Sequence, residues 1–212
     1  MSLTDTFIEL AERGLAPDFL IRAGIRNLCR KRLKQCLIDD CEANSKLAEK
    51  YLKDSDASPM AVLTDKANEQ HYEVPAKFYQ LVLGKNLKYS SCYFDEFVSD
   101  LSKAEERALQ LTCEHAGLDD GQKILELGCG WGSLSLWMAK NFPASRITSV
   151  SNSHSQRKHI ERQARERGLE NLEVITEDVN AFETDERFDR VVSVEMFEHV
   201  RNHRELFRRI HS

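Results

Sequence analysis

The sequence predicts an α/β protein: a parallel sheet with helices on its faces, preceded by an α-helical N-terminal region. Three observations predict it. The run KILELGCGWGSLSLWMAKNF, residues 123–142, passes from a short apolar strand through three glycines into a helical pattern. After it, strand and helix patterns alternate, as a parallel sheet requires. Before it, the apolar spacing is helical.

Taken in order, Phe7, Leu10 and Ala11 mark a short amphipathic helix, and residues 14–17 a break. Ile21, Ile25, Leu28, Leu33 and Leu37 mark a longer helix whose other face carries Arg22, Arg26, Arg30, Lys31, Arg32 and Lys34. A solvated face explains such a run, and contact with anionic lipid headgroups is the alternative. The polar segment KDSDASP, residues 53–59, reads as a linker. Residues 78–83 are helical in pattern, bounded by Pro75 and Gly84. A further helix spans residues 102–116, with Ser102 as N-cap and Glu105 completing a capping box.

The first strand of the sheet contains Ile124, Leu125 and Leu127, and Gly128, Gly130 and Gly132 follow it. Glycine permits a tight turn and close approach of a ligand to the backbone, whose amides at a helix N-terminus suit an anionic or polar group. No GKS or GKT follows, which excludes a phosphate-gripping ATPase loop, and G-C-G-W-G is not the G-x-G-x-x-G of dinucleotide enzymes. Strands are expected at 146–150, 172–175 and 188–194, with a charged helix at 155–167 ending at Gly168. Ligands of open parallel sheets sit beyond the carboxyl ends of the strands, so functional residues belong just after Leu127, Val150, Ile175 and Val194. Four strands and an unfinished crossover at Ser212 predict a fragment. Two regions are expected: 1–100, helical, forming a cap and part of the site, and 101–212, a partial sheet domain.

Composition narrows the classes. The chain has 212 residues, 41% of them hydrophobic, and a net charge of −5, which argues against general affinity for nucleic acid. No apolar run is long enough to span a bilayer, and Asp5, Glu9 and Glu12 occupy a start where a targeting sequence would be basic. The cytoplasm is the expected compartment. The six cysteines form no C-x-x-C pair and no zinc-like spacing with histidine, so reduced thiols and no metal are expected.

The combination of LELGCGWGSL with EQHYEVPAKFY and YSSCYF upstream and SVEMFEHV downstream resembles one family. It is similar to the S-adenosylmethionine-dependent methyltransferases that include cyclopropane fatty acid synthases and plant coclaurine N-methyltransferases, from about Ala61 onward. The resemblance implies a Rossmann-like class I methyltransferase sheet, incomplete at its C-terminal side, and S-adenosylmethionine as cofactor. It places Tyr89 and Ser90 over the methionine part of the cofactor, Gly128 and Gly130 under it, and Glu126 as the acidic residue of the first motif. Ser151, Asn152 and Gln156 match ribose and methionine contacts. Asp178 and Val179 match the adenine positions. Dinucleotide folds carry an acid where Asn152 stands, and its replacement points to this branch. Without the resemblance, Asp178 reads as a helix cap, Asn152 as a turn residue, Gln156 as a solvated helix residue, Cys129 as a packed small residue and Trp131 as loop packing.

The catalytic expectation rests on VEMFEHV, residues 194–200. A helix beginning near Glu195 would bring Glu195, Glu198 and His199 to one face at i, i+3 and i+4. Methyl transfer from a sulfonium needs the protein to align the acceptor, deprotonate it and exclude water. Histidine titrates in the range to take a proton from an amine, and glutamate suits the ammonium form. In cyclopropane synthases the third residue of the segment resembling YSSCYF is a cysteine that helps hold a bicarbonate base. Here that residue is Ser91, with Cys92 one place later. The resemblance therefore implies N-methylation of a small amine, with an unsaturated phospholipid acceptor or a non-catalytic cofactor binder as alternatives.

Overall fold

The computed structural model describes residues 3–37, 40–62 and 76–212. The chain divides into two compact units, residues 1–54 and 55–212, a division well before the boundary expected at residue 100. The 69–75 part of the EQHYEVPAKFY motif, with Pro75, lies outside the described residues.

The first unit is helical, as its spacing predicts: α1 (Leu3–Glu12), α2 (Asp18–Cys36) and α3 (Cys41–Asp56). Gly14, with a φ of 70°, lies between the first two. The segment read as a linker from residue 53 stays helical to Asp56, because nothing in KDSD breaks a helix before Ser58 and Pro59.

The second unit contains α4 (Ala76–Val82), α5 (Leu101–His115), β1 (Lys123–Leu127), α6 (Ser133–Asn141), β2 (Arg146–Ser151), α7 (His154–Glu166), β3 (Leu172–Thr176), β4 (Arg190–Val192) and α8 (His203–His211). The four strands are all parallel, in the order β3-β2-β1-β4. β1 and β2 are buried at every position but their first, the pattern of strands covered on both faces. Residue parity sorts the core. Ile124, with Ile147 in register beside it, packs with Leu109, Leu134 and Met138 of α5 and α6. Leu125, Leu127 and Val150 point the other way, toward Val200 and Leu206. Glu126 shares the parity of Ile124 and so faces the α6 side.

Two expectations about this unit are corrected. The cap of α5 is Asp100, whose backbone is extended and whose carboxylate accepts from the Lys103 N–H at 3.1 Å. Ser102 lies inside the helix and its hydroxyl accepts from the Lys85 N–H at 3.3 Å. Glu105 closes no capping box. Its buried carboxylate accepts from the backbone N–H of Gly84 (2.9 Å), Asn86 (2.8 Å) and Lys88 (3.2 Å), which pins the 84–88 turn to α5. Asp100→Ala is expected to cost about 1 kcal/mol in chemical denaturation. Second, β4 covers only Arg190–Val192, not 188–194.

Candidate active site

The carboxyl ends of the strands open into one cleft, as the position rule for parallel sheets anticipates. Tyr89, Gly128, Gly130, Ser151, Asn152, Gln156, Val179, Glu195 and His199 all line it. The sequence motifs therefore meet in space, although 110 positions separate the first of these residues from the last in chain numbering.

The glycine loop is shaped by close approach. Gly128 has a φ of 81°, and a Cβ there would lie 2.6 Å from Cβ and Cγ of Met196. Its N–H and that of Cys129 both donate to the Val150 carbonyl, at 3.0 and 3.1 Å, and the Gly132 N–H donates to Cys129 O. The first two amides thus hold the loop on β2, the third closes a turn within the loop, and none of the three is offered to a ligand. Trp131 is buried under the loop, edge-on to His159 at 5.4 Å and 5.3 Å from the Tyr79 ring, which is the loop-packing reading. Cys129 packs with Leu136, Ile160, Ala164 and Val174, and burial holds its thiol well above the ordinary range, as a packed residue rather than a nucleophile.

At the end of β2, the Ser151 hydroxyl donates to Gln156 Oε1 at 2.7 Å. Gln156 is 2% exposed, so it is no solvated helix residue, and its Nε2 has no hydrogen-bond partner among the described residues. A buried amide donor without a partner in a cleft wall is costly unless a ligand meets it.

Some expected residues lie elsewhere. Glu126 and Ser90 border a smaller recess on the Trp131 side of the glycine loop, shared with Tyr89, Gly128 and Gly130. The Glu126 carboxylate accepts from the hydroxyls of Ser135 and Ser149, the latter at 2.9 Å. Burial nevertheless pushes its pKa up to about 7, since the two donors offset only part of the lost hydration. Asp178 does not line the cleft: its Oδ1 accepts from the Asn180 N–H at 2.7 Å, so it shapes the turn after β3, close to the capping alternative. Glu177, the first residue past β3, lines the cleft instead. The position rule pointed to that place, and Val179, which the resemblance matched to the adenine positions together with Asp178, lines it as well.

The helix expected to begin near Glu195 is corrected. Glu195 has a φ of 53°, Phe197–His199 form a single 3₁₀ turn, and α8 starts only at His203. Asn202 sets that start, because its Oδ1 accepts from the Glu205 N–H at 3.0 Å as an N-cap. Its Nδ2 also donates to the carbonyls of Asp56 (3.0 Å) and Ser58 (3.1 Å). Without a regular helix, the i, i+3, i+4 face does not form. Glu195 and His199 still line the cleft; Glu198 is exposed and does not.

Residues not anticipated also shape the cleft, including Ala61, Val62, Phe182 and Met196. Asn180 brings in the first two: its Oδ1 accepts from the Ala61 N–H at 2.9 Å and its Nδ2 donates to Ala61 O at 3.1 Å. That pairing spans 119 residues and leaves no local sequence signal. Among the described residues there is no group of histidine, cysteine and carboxylate side chains arranged to hold a metal, and no helix long and apolar enough to cross a membrane.

Comparison with known proteins agrees with this geometry. The chain is 37% identical over 199 residues to (S)-coclaurine N-methyltransferase of Thalictrum flavum subsp. glaucum, covering 94% of this chain and 55% of that protein. It is 42% identical over 138 residues to (S)-tetrahydroprotoberberine N-methyltransferase of Eschscholzia californica, covering 65% and 39%. The crystal structure of coclaurine N-methyltransferase bound to N-methylheliamine and SAH superposes with a TM-score of 0.89 at 35% identity, over 99% of this chain and 60% of that one. The chain thus spans about half the length of the relatives it matches. The family model described as mycolic acid cyclopropane synthetase matches residues 63–212, and the chain belongs to that family.

Proposed function

We propose that this chain carries the cofactor site and part of the acceptor site of an S-adenosylmethionine-dependent N-methyltransferase acting on a small, alkaloid-like amine in the cytoplasm. The observation that carries it is the cleft, where Ser151, Asn152 and Gln156 at the end of β2 line the same space as Glu195 and His199. The match over nearly the whole chain to a structure holding SAH and an N-methylated amine supports the same reading.

Gln156, Ser151, Asn152 and Tyr89 would hold the polar parts of the cofactor, with Val179 and Phe182 as apolar surface for its ring. When bound, S-adenosylmethionine supplies an electrophilic methyl group on a sulfonium. The remaining work falls to the chain. Glu195 holds an ammonium form of the acceptor at the cleft wall, and His199 accepts the proton that frees the nitrogen lone pair. Met196 and Val200 give the cleft an apolar lining that limits water. Cys92 does not line the cleft, and its thiol donates to the Lys88 carbonyl at 3.3 Å, which favours the amine over a cysteine-assisted lipid reaction.

Calorimetric titration with S-adenosylhomocysteine is expected to show saturable binding, weakened about tenfold in Gln156→Ala. With a panel of secondary and tertiary amines, His199→Ala is expected to lower turnover by roughly 10²–10⁴-fold. No binding by the unaltered protein refutes the cofactor assignment; undiminished turnover in His199→Ala removes it as the base.

A further inference from the structure

Ser91, with a φ of 51°, and Glu195 of the cleft, with a φ of 53°, are non-glycine residues in the left-handed region, as is Leu87 in the same upstream segment. Side chains with a Cβ adopt that region only against a steric penalty, which the surrounding structure must offset. Ser91 and Glu195 lie 104 positions apart and touch each other: Ser91 Oγ donates to Glu195 Oε1 at 2.6 Å. Two residues with unusual backbones thus meet in one side-chain contact.

The segment around Ser91 is built to present that hydroxyl. Glu105 anchors the Lys88 N–H, the buried Lys88 side chain donates to Ser90 O at 2.8 Å, and the Cys92 thiol folds back on Lys88 O. With its neighbours tied inward, Ser91 points at the carboxylate. The hydroxyls of Ser91 and then Ser90, with the Lys88 ammonium nearby, hold the Glu195 carboxyl below the usual carboxylate range. Glu195 is otherwise an exposed side chain on a turn that lines the cleft.

We propose that Ser91 is a positioning residue, its hydroxyl fixing the Glu195 carboxylate in the orientation that receives a cationic amine. The inference rests on the methyl-transfer reading of the cleft and deepens it. A free glutamate has several rotatable bonds to order when a ligand arrives, and a carboxylate already held by one oxygen loses less entropy on binding. The Ser91 hydrogen bond engages one lone pair of Oε1, and an ionised carboxylate has further acceptor sites for the ammonium. Serine in place of the cyclopropane synthases' cysteine is then a functional difference, since a hydroxyl is the stronger donor to a carboxylate.

Glycine provides the discriminating substitution. At a φ of 51°, Ser91→Gly removes the hydroxyl and relieves the backbone penalty, so a residue that merely shapes the loop would tolerate it. The thermal midpoint and the affinity for S-adenosylhomocysteine are expected to be unchanged or higher. With that ligand saturating, affinity for N-methylheliamine is expected to fall about tenfold. The Glu195 carboxyl, followed by ¹³C NMR, is expected to titrate at a higher pH once the Ser91 hydroxyl no longer donates to it. In a Glu195→Gln background, Ser91→Gly is expected to have no further effect on amine affinity. Unaltered amine affinity, or an unmoved Glu195 titration, overturns the positioning role. Absence of S-adenosylhomocysteine binding by the unaltered protein refutes the methyl-transfer reading instead, and the NMR titration still decides the Ser91 contact.

Discussion

Gly132→Ala is expected to lower the melting temperature by roughly 5–10 °C, with a loss of about 3 kcal/mol in chemical denaturation. Two costs coincide at this position. Its φ is 79°, where an L side chain is strained, and a Cβ would lie 2.5 Å from Ile160 Cγ1 and 3.0 Å from its Cδ1. Ile160 cannot yield easily, because it is fully buried among Cys129, Leu136, Ala164 and Val174. The loop cannot yield either, since the Gly132 N–H donates to Cys129 O at 2.9 Å and its carbonyl receives the Leu136 N–H that opens α6. Gly168→Ala separates the two costs. That glycine has a φ of 66° but nothing within 4 Å of an added Cβ, so only the backbone penalty of about 1 kcal/mol is expected. Equal losses in the two variants would show that the packing of α7 against the loop contributes nothing.

The same contact shows what local pattern can and cannot reveal. Residues 123–142 read correctly because the apolar period changes from two to 3.6 across a cluster of glycines, a signal contained in twenty consecutive residues. The end of β2 followed from the position rule. The failures share another cause. EMFEHV contains good helix formers, and nothing in it announces the left-handed backbone of Glu195, which is tied to Ser91 far away in the sequence. The available clue was Asn202, a favoured N-cap just before the HRELFRRI pattern of α8, which marks a later helix start. At α5 the spacing of Ser102 and Glu105 imitated a capping box, while the residue that caps is Asp100 and the role of Glu105 for the 84–88 turn is a contact across the fold. Glu177 and Asp178 show what a strand end leaves open: adjacent residues point in different directions, and which of them lines the cleft is not legible from their order in the sequence.

Strand parity also determines what happens at Glu126, where the second large effect is expected. Glu126 stands between Leu125 and Leu127 on β1 but faces α6, where the hydroxyls of Ser135 and Ser149 are its partners. Glu126 is 3% exposed, and burial raises its pKa from 4.5 to about 7. Between these values the folded chain holds a proton that the unfolded chain has released. Stability from this group is fully present below pH 4.5 and is lost as pH rises through 7. A displacement of that size corresponds to about 3 kcal/mol. Glu126→Gln keeps the shape, accepts from a serine hydroxyl through its amide oxygen and does not titrate. Denaturant unfolding of both proteins at pH 4.5, 6 and 8 is therefore expected to show the unaltered chain losing about 3 kcal/mol relative to the variant across the series. The amide should be the more stable form at pH 8, because a neutral group costs less to bury than a carboxylate with two hydroxyl donors. Parallel curves would mean that Glu126 stays ionised in the fold throughout, with Ser135 and Ser149 fully replacing its hydration. A carboxyl that carries its proton near neutrality beside the glycine loop would also make cofactor affinity depend on pH in the unaltered chain and not in Glu126→Gln.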